Sequence, residues 1–216
     1  MSLGLRLAAL DSGAVSDALD SLGLAPAVSG LEPLGARRRI AGPVRTVKLA
    51  AGAGRTGPHL GTAAIDAAAP GELIVIEHVA GIECAGWGGV LSAAAQIRGV
   101  AGVVIDGPAR DLDDALALGF PVYARGGCAR TARGRVHEEA FDCPITICGV
   151  AVHPGDYVLA DSTGVVFIPE ARIGEVVTRA ERITERERLM IQALQRGDAA
   201  TEAVGRDYEQ MLRELD

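Results

Sequence analysis

The sequence predicts an α/β fold with a helical arm behind it, and three observations carry that reading. Short apolar runs rich in Val and Ile alternate with small-residue helical stretches between residues 44 and 124. Closely spaced strand-like runs follow from Ile145, and charge becomes dense from Ala171 onward. The alternation argues for parallel strands joined by helices, and the later runs argue for a β-hairpin layer.

Each element has its own justification. Ser12 or Ser16 can cap a helix over 15–22, which Gly23 closes. Runs at 44–49, 73–79, 102–105, 122–124, 145–152, 157–160 and 165–168 have strand character, being short, apolar and bounded by turn residues. Helices are expected between the earlier runs, at about 60–68, 89–98 and 112–118. A chain of 216 residues can bury one sizeable core. We divide it into a core domain, 1–170, and an arm, 171–216. In the arm 18 of 46 residues are charged, against 31 in the preceding 170. Ile173, Val176, Val177, Ala180, Ile183, Met190, Ile191 and Leu194 recur there at helical spacing, so the arm reads as an amphipathic helix or pair broken near Gly197-Asp198. Its apolar stripe must cover the chain's own core or a neighbouring subunit.

Composition narrows the function classes. A formal net charge of −7 and 3% aromatic residues argue against a nucleic-acid binder, which needs a basic field and stacking platforms. No apolar run approaches the length of a membrane span, and the first residues lack the apolar stretch of a leader. Cys84, Cys128, Cys143 and Cys148 show no C-x-x-C spacing, which points to reduced, mostly buried thiols in a cytoplasmic protein. His59, His78, His137 and His153 are scattered and form no zinc motif.

The most informative stretch runs from Trp87-Gly88-Gly89 to Arg110-Asp111, with twenty residues between Gly89 and Arg110. A glycine turn opens a small-residue helix whose first amides, those of Val90 and Leu91, attract a carboxylate or phosphate. Arg110 can grip a carboxylate with two parallel hydrogen bonds. Asp111 offers hard oxygen to a divalent cation. The same residues also have a structural reading: Asp111 as N-cap of the helix 112–118, Asp114 completing a capping-box-like start, and Arg110 as a solvated turn residue. A second pattern, Gly52, Gly54 and Gly57 in G-x-G-x-x-G with Glu77 twenty residues on, outlines a dinucleotide fingerprint. Pro58 and His59 intrude where its helix should already run, and the pattern stands 50 residues into the chain, so a plain flexible loop competes with cofactor binding.

The long motif resembles that of the family shared by the regulator of ribonuclease activity A and the metal-dependent 4-hydroxy-4-methyl-2-oxoglutarate aldolases. That pattern is a Gly, twenty residues, Arg-Asp, two residues, then Asp or Glu, and it falls here on Gly89, Arg110, Asp111 and Asp114. The similarity runs from Ile40-Ala41-Gly42-Pro43 through Pro70-Gly71-Glu72, Gly119-Phe120-Pro121 and Pro154-Gly155-Asp156 to Phe167-Ile168-Pro169. It departs at Glu77 to Glu83, where many relatives read Asp-Gly-Gly-Gly-Asp, and it treats the glycine pattern at 52–57 as a variable loop. The resemblance implies a swivelling β/β/α domain and assembly as a homotrimer or dimer of trimers. It also implies a glutamate lent to the site by a neighbouring subunit's C-terminal region, for which Glu187 or Glu185 is the candidate.

Carbon–carbon cleavage beside a keto acid needs an electron sink. A Schiff base is disfavoured, because the single lysine, Lys48, falls on the polar face of a strand. A divalent cation acting as Lewis acid, Mg²⁺ or Mn²⁺ on Asp111 with Asp114 in support, is the alternative. Arg110 and the Gly88–Leu91 segment would bind the substrate, and water on the cation would carry the proton. The expectation is a lyase acting on a small 2-oxo acid, by retro-aldol cleavage to pyruvate or decarboxylation of oxaloacetate. A non-catalytic protein that binds and regulates a ribonuclease stands second, and a dinucleotide binder third.

Overall fold

The computed structural model describes residues 2–25, 27–53 and 59–205. Two helices, α1 (Leu3–Ala8) and α2 (Ser12–Ser21), precede the short strand β1 (Glu32–Pro33) and the long strand β2 (Ile40–Ala51). Three α/β units follow: α3 (Thr62–Ala67) with β3 (Leu73–Glu77), α4 (Gly89–Ile97) with β4 (Gly102–Ala109), and α5 (Leu112–Leu118) with β5 (Val122–Gly127). Then come β6 (Val136–Phe141), β7 (Ile145–Ile147), β8 (Val150–Val152), β9 (Tyr157–Ala160) and β10 (Val165–Ile168). The described chain closes with α6 (Ile173–Gln195) and α7 (Ala200–Ala203).

Strands β2, β3, β4 and β5 lie side by side and parallel, and β1 and β9–β10 extend the sheet antiparallel at its two ends. From Val47 to Ala51 β2 also pairs with β6, with a register shift between Lys48 and Leu49. Leu73 to Ile76 of β3 are all buried, as expected of a parallel strand covered on both faces. One cluster, with Trp87, Ile74, Ile105 and Phe120, packs α3, α4 and α5 on the sheet. A second places the β7–β8 hairpin against the other face. A third joins α1, α2 and the first half of α6 to β9 and β10. The mixed α/β architecture expected from the sequence is therefore present, with its C-terminal helix.

Several boundaries differ for physical reasons. The first expected helix starts at Ser12, because Asp11 is its cap and accepts from Ala14 N; Gly23 follows its end at φ 63°. Ser12 itself donates N–H and O–H to Asp161, each at 2.8 Å. The run at 145–152 is two strands turning at Cys148 and Gly149, both with positive φ. Helix α1 and strands β1 and β6 were not anticipated; β6 carries His137, Glu138 and Glu139 and is half-buried along much of its length. Among the four free cysteines only Cys84 is buried, so "mostly buried" was too strong. The arm is helical and interrupted at Gly197, where φ is 98°. Its residues Ile173, Val176, Val177, Ala180 and Ile183 are buried in the chain's own core, whereas Leu189, Ile191 and Leu194 are 50%, 55% and 40% exposed. No described helix is long and apolar enough to cross a membrane.

Candidate active site

Parallel strands send their chains out at one edge, and ligands in open α/β sheets gather outside the strands' carboxyl ends. Four connections leave that edge here, after β2, β3, β4 and β5. Backbone pairing brings three of them together. Trp87 bridges to Ala109, and Arg110 N donates to Trp87 O at 3.0 Å. Cys128 N donates to Ala109 O, and Ala85 bridges to Thr131. The result is a cleft of about 210 Å³ lined by His59, Leu60, Trp87, Gly88, Gly89, Val90, Leu91, Arg110, Asp111 and Thr131, among others.

The long motif is a steric lock. A Cβ at Gly88 would stand 2.9 Å from Asp111 Oδ2, and one at Gly89 would stand 2.9 Å from Asp114 Oδ2 and 3.1 Å from Asp111 Cβ. The turn is held from behind by Trp87, whose indole donates to Ser92 Oγ at 2.9 Å and whose ring stacks on Phe120. Ser92 Oγ in turn donates to Gly88 O.

Asp111 occupies the N-cap position of α5, but its side chain makes no capping bond, and its backbone is left-handed at φ 54°, ψ 42°. The capping reading is thereby corrected, and so is the capping box with Asp114. The carboxylate turns away to accept from Gly89 N at 3.0 Å and to meet Arg110 Nε at 3.4 Å. It thus sits at the positive end of α4, the neighbouring helix. A non-glycine residue held in this region costs roughly 1–3 kcal/mol and concentrates at functional sites. Arg110 is not merely solvated: its backbone is paired to Trp87 and its side chain lines the cleft. The amides of Val90 and Leu91 lie in the first turn of α4, where a helix supplies no acceptor.

The donor chemistry suits a hydrated hard cation. Among the described residues no three His, Cys, Asp or Glu side chains cluster as a closed metal site. Asp111 is a single half-exposed carboxylate beside the cleft, with Asp114 behind Gly89, and Mg²⁺ commonly takes one or two protein carboxylates and keeps its waters. Glu185 and Glu187 lie on α6, which packs against α1 and α2; neither lines the cleft within one chain, and Glu185 is paired with Arg188 at 2.6 Å. Lys48 is half-buried and paired with Glu139 at 3.1 Å; the hydrogen bond to Glu139 and its charge raise the ammonium's pKa, opposite to what a Schiff-base lysine requires. Of the glycine pattern at 52–57, Gly54 and Gly57 lie outside the described residues, as does Pro58. The divergent stretch from Glu77 runs beneath the site: a Cβ at Gly107 or Gly86 would strike the His78 ring at 2.5 and 2.8 Å. Reading the motif alone missed His59 and Thr131, which reach the cleft from the connections after β2 and β5. The one available signal for His59 was its place after a strand, in the loop weighed as a dinucleotide turn.

Comparison with known proteins places the chain. It belongs to the RraA-like family, whose Aldolase/RraA model matches residues 12–167. A Halalkalibacterium halodurans protein named "Putative 4-hydroxy-4-methyl-2-oxoglutarate aldolase" is 33% identical over 78% of this chain and 77% of its own length. A Legionella pneumophila relative, Protein DlpA, is 33% identical over 81% of this chain, but the chain spans only 29% of that protein. It likewise spans 55% of an uncharacterized Methanocaldococcus jannaschii protein that is 40% identical over 115 residues. Among solved structures, an uncharacterized Pseudomonas syringae protein superposes with a TM-score of 0.85 at 30% identity, covering 94% of this chain and 96% of its own. A Streptomyces coelicolor structure, described as an unusual member of the RNase ES inhibitor RraA protein family, superposes at 0.78 and 26% identity over 86% of this chain and 93% of its own.

Proposed function

We propose that the protein is a divalent-metal-dependent lyase that cleaves a small 4-hydroxy-2-oxo acid to pyruvate, with oxaloacetate decarboxylation as a related activity. The observation that carries this reading is the placement of Asp111 and Arg110 against the start of α4 in one cleft. Asp111 would hold Mg²⁺ or Mn²⁺, with Asp114 in support, and the cation supplies Lewis acidity toward the keto and carboxylate oxygens of a bound 2-oxo acid. Arg110 binds the substrate carboxylate and offsets the negative charge that develops as the carbon–carbon bond breaks. The Val90 and Leu91 amides donate to the remaining carboxylate oxygen. Trp87, 2% exposed, is a dry, immobile wall that fixes the orientation of the Gly88–Gly89 turn. A cleft of about 210 Å³ suits a molecule of a few carbons; drug-sized ligands occupy roughly 300–1,000 Å³.

The working form is inferred to be a ring of subunits, with Glu187 or Glu185 reaching a neighbour's cleft. Val90, which lines the cleft, with Ile97 on α4 and Leu116 on α5, supports this, the three being 84%, 85% and 59% exposed. The Streptomyces relative favours a second reading, regulation of a ribonuclease by direct binding.

Release of 2-oxo acid from a substrate panel, with Mg²⁺, with Mn²⁺ and with chelator, tests the proposal. Metal-dependent cleavage is expected. Inertness on every substrate, with inhibition of an RNase E-type endonuclease, would favour the second reading.

A further inference from the structure

Resting on the lyase reading, we propose that His59 is a catalytic acid–base residue that carries the proton between the substrate's C4 hydroxyl and C3. Retro-aldol cleavage requires such a carrier. The hydroxyl proton must leave, the C3–C4 bond breaks with its electron pair passing toward the C2 carbonyl, and C3 of the resulting enolate must take a proton to become the methyl group of pyruvate. One group that accepts the first proton and returns it balances the sequence without another reactant.

Among the described residues that line the cleft within one chain, few side chains are candidates. Arg110 does not give up its proton in a protein, and the Asp111 carboxylate already accepts from Gly89 N and faces Arg110. Thr131 offers only a hydroxyl. Among the described lining residues His59 is the one imidazole, and imidazole is the side chain that takes and gives a proton near neutral pH.

The backbone beneath it is fixed. His59 O accepts from Thr62 N at 2.9 Å and from Thr62 Oγ1 at 2.6 Å. Leu60 is buried in the core, a Cβ at Gly61 would meet the Trp87 ring at 3.3 Å, and Gly61 N donates to Glu138 Oε2 at 2.6 Å. His59 is exposed on this anchored turn and lines the cleft. Glu138 of β6 interacts with it electrostatically, and Arg110 and Asp111 line the same cleft. Glu138 is half-buried; burial raises its pKa, and the Gly61 amide and His59 lower it.

The test uses the metal-loaded protein and two readouts. Deuterium entry at C3 of pyruvate in heavy water, followed by NMR, reports the proton step alone. Calorimetric titration of oxalate, a planar mimic of the enolate, reports binding. In His59→Asn, exchange and retro-aldol kcat should fall by about 100-fold or more, and oxalate affinity should stay within about threefold. Exchange at the wild-type rate in His59→Asn overturns the proposal, and so does loss of oxalate binding in step with turnover. Wild-type protein that neither exchanges nor cleaves overturns the lyase reading itself, an outcome distinct from an active His59→Asn.

Discussion

Asp111 holds a left-handed backbone and points its carboxylate at a helix other than the one it begins. If that conformation is kept for chemistry, the order of variant stabilities follows. Asp111→Gly relieves the strained backbone while losing the Gly89 bond, and should unfold within about 1 kcal/mol of wild type. Asp111→Ala loses the bond and keeps the strain, so it should be about 1 kcal/mol less stable than Asp111→Gly. Both should lose turnover. Urea denaturation of the pair checks the order, and the reverse ranking would mean that the left-handed turn is not strained. Gly89→Ala should cost roughly 1–3 kcal/mol, since its Cβ drives into Asp111 and Asp114. The spacing of Gly89, Arg110 and Asp111 was legible in the sequence because the motif is contiguous in chemistry. The direction of the Asp111 carboxylate was not, because aspartate is both a good cap and tolerant of positive φ, and only packing against Gly88 and Gly89 decides between them.

At the scale of elements, the N-terminal helices are tied to the rest of the fold by charge as well as by apolar contact. Arg6 on α1 meets Glu181 on α6 through two hydrogen bonds of 2.8 and 2.6 Å. Asp161, after β9, accepts from Ser12 N and Oγ and from Thr163 N and Gly164 N. Burial alone would raise the Asp161 pKa; the bonds from Ser12, Thr163 and Gly164 together outweigh it, and the net shift is downward. A carboxylate with a depressed folded value contributes stability that is complete above the unfolded aspartate value, about 3.9, and is lost as pH falls through the lower folded value. Asp161→Ala should therefore cost on the order of 3 kcal/mol at neutral pH, and Asp161→Asn should flatten the acid limb of stability. An acid limb as steep in Asp161→Asn as in the wild type would remove the tie. Nothing local in Ser12 or Asp161 announces a pair 149 residues apart. Strand β6 escaped notice for a related reason: its polar residues satisfy a sheet edge and the Gly61 turn, which apolar periodicity does not register. Strands β9 and β10, short and apolar between turns, were legible to the residue.

Across the molecule, two apolar patches stand exposed among the described residues: Val90 and Ile97 along α4, and Leu189, Ile191 and Leu194 on the second half of α6. The arm's periodicity was visible in the sequence, but its division into a buried half and an exposed half depends on where β9 and β10 end, which only the fold supplies. Removing the arm after Glu170 would strip five buried residues from the core and should unfold the chain. A stop after Arg186 spares that core. Light scattering should then show a smaller assembly for this truncation and for Ile97→Asp, with cleavage activity falling in step. A single 22.2 kDa chain with full activity would show that the cleft is complete without a neighbour. The measurement closest to the central claim is steady-state release of pyruvate from 4-hydroxy-4-methyl-2-oxoglutarate, in saturating Mg²⁺, by wild type, Arg110→Lys and Asp111→Asn. The arrangement at the start of α4 predicts turnover by the wild type, and kcat/KM lowered at least about 100-fold in each variant, since a point charge cannot reproduce a two-pronged grip and an amide is a poor ligand for a hard cation. Wild-type rates in both variants would contradict it.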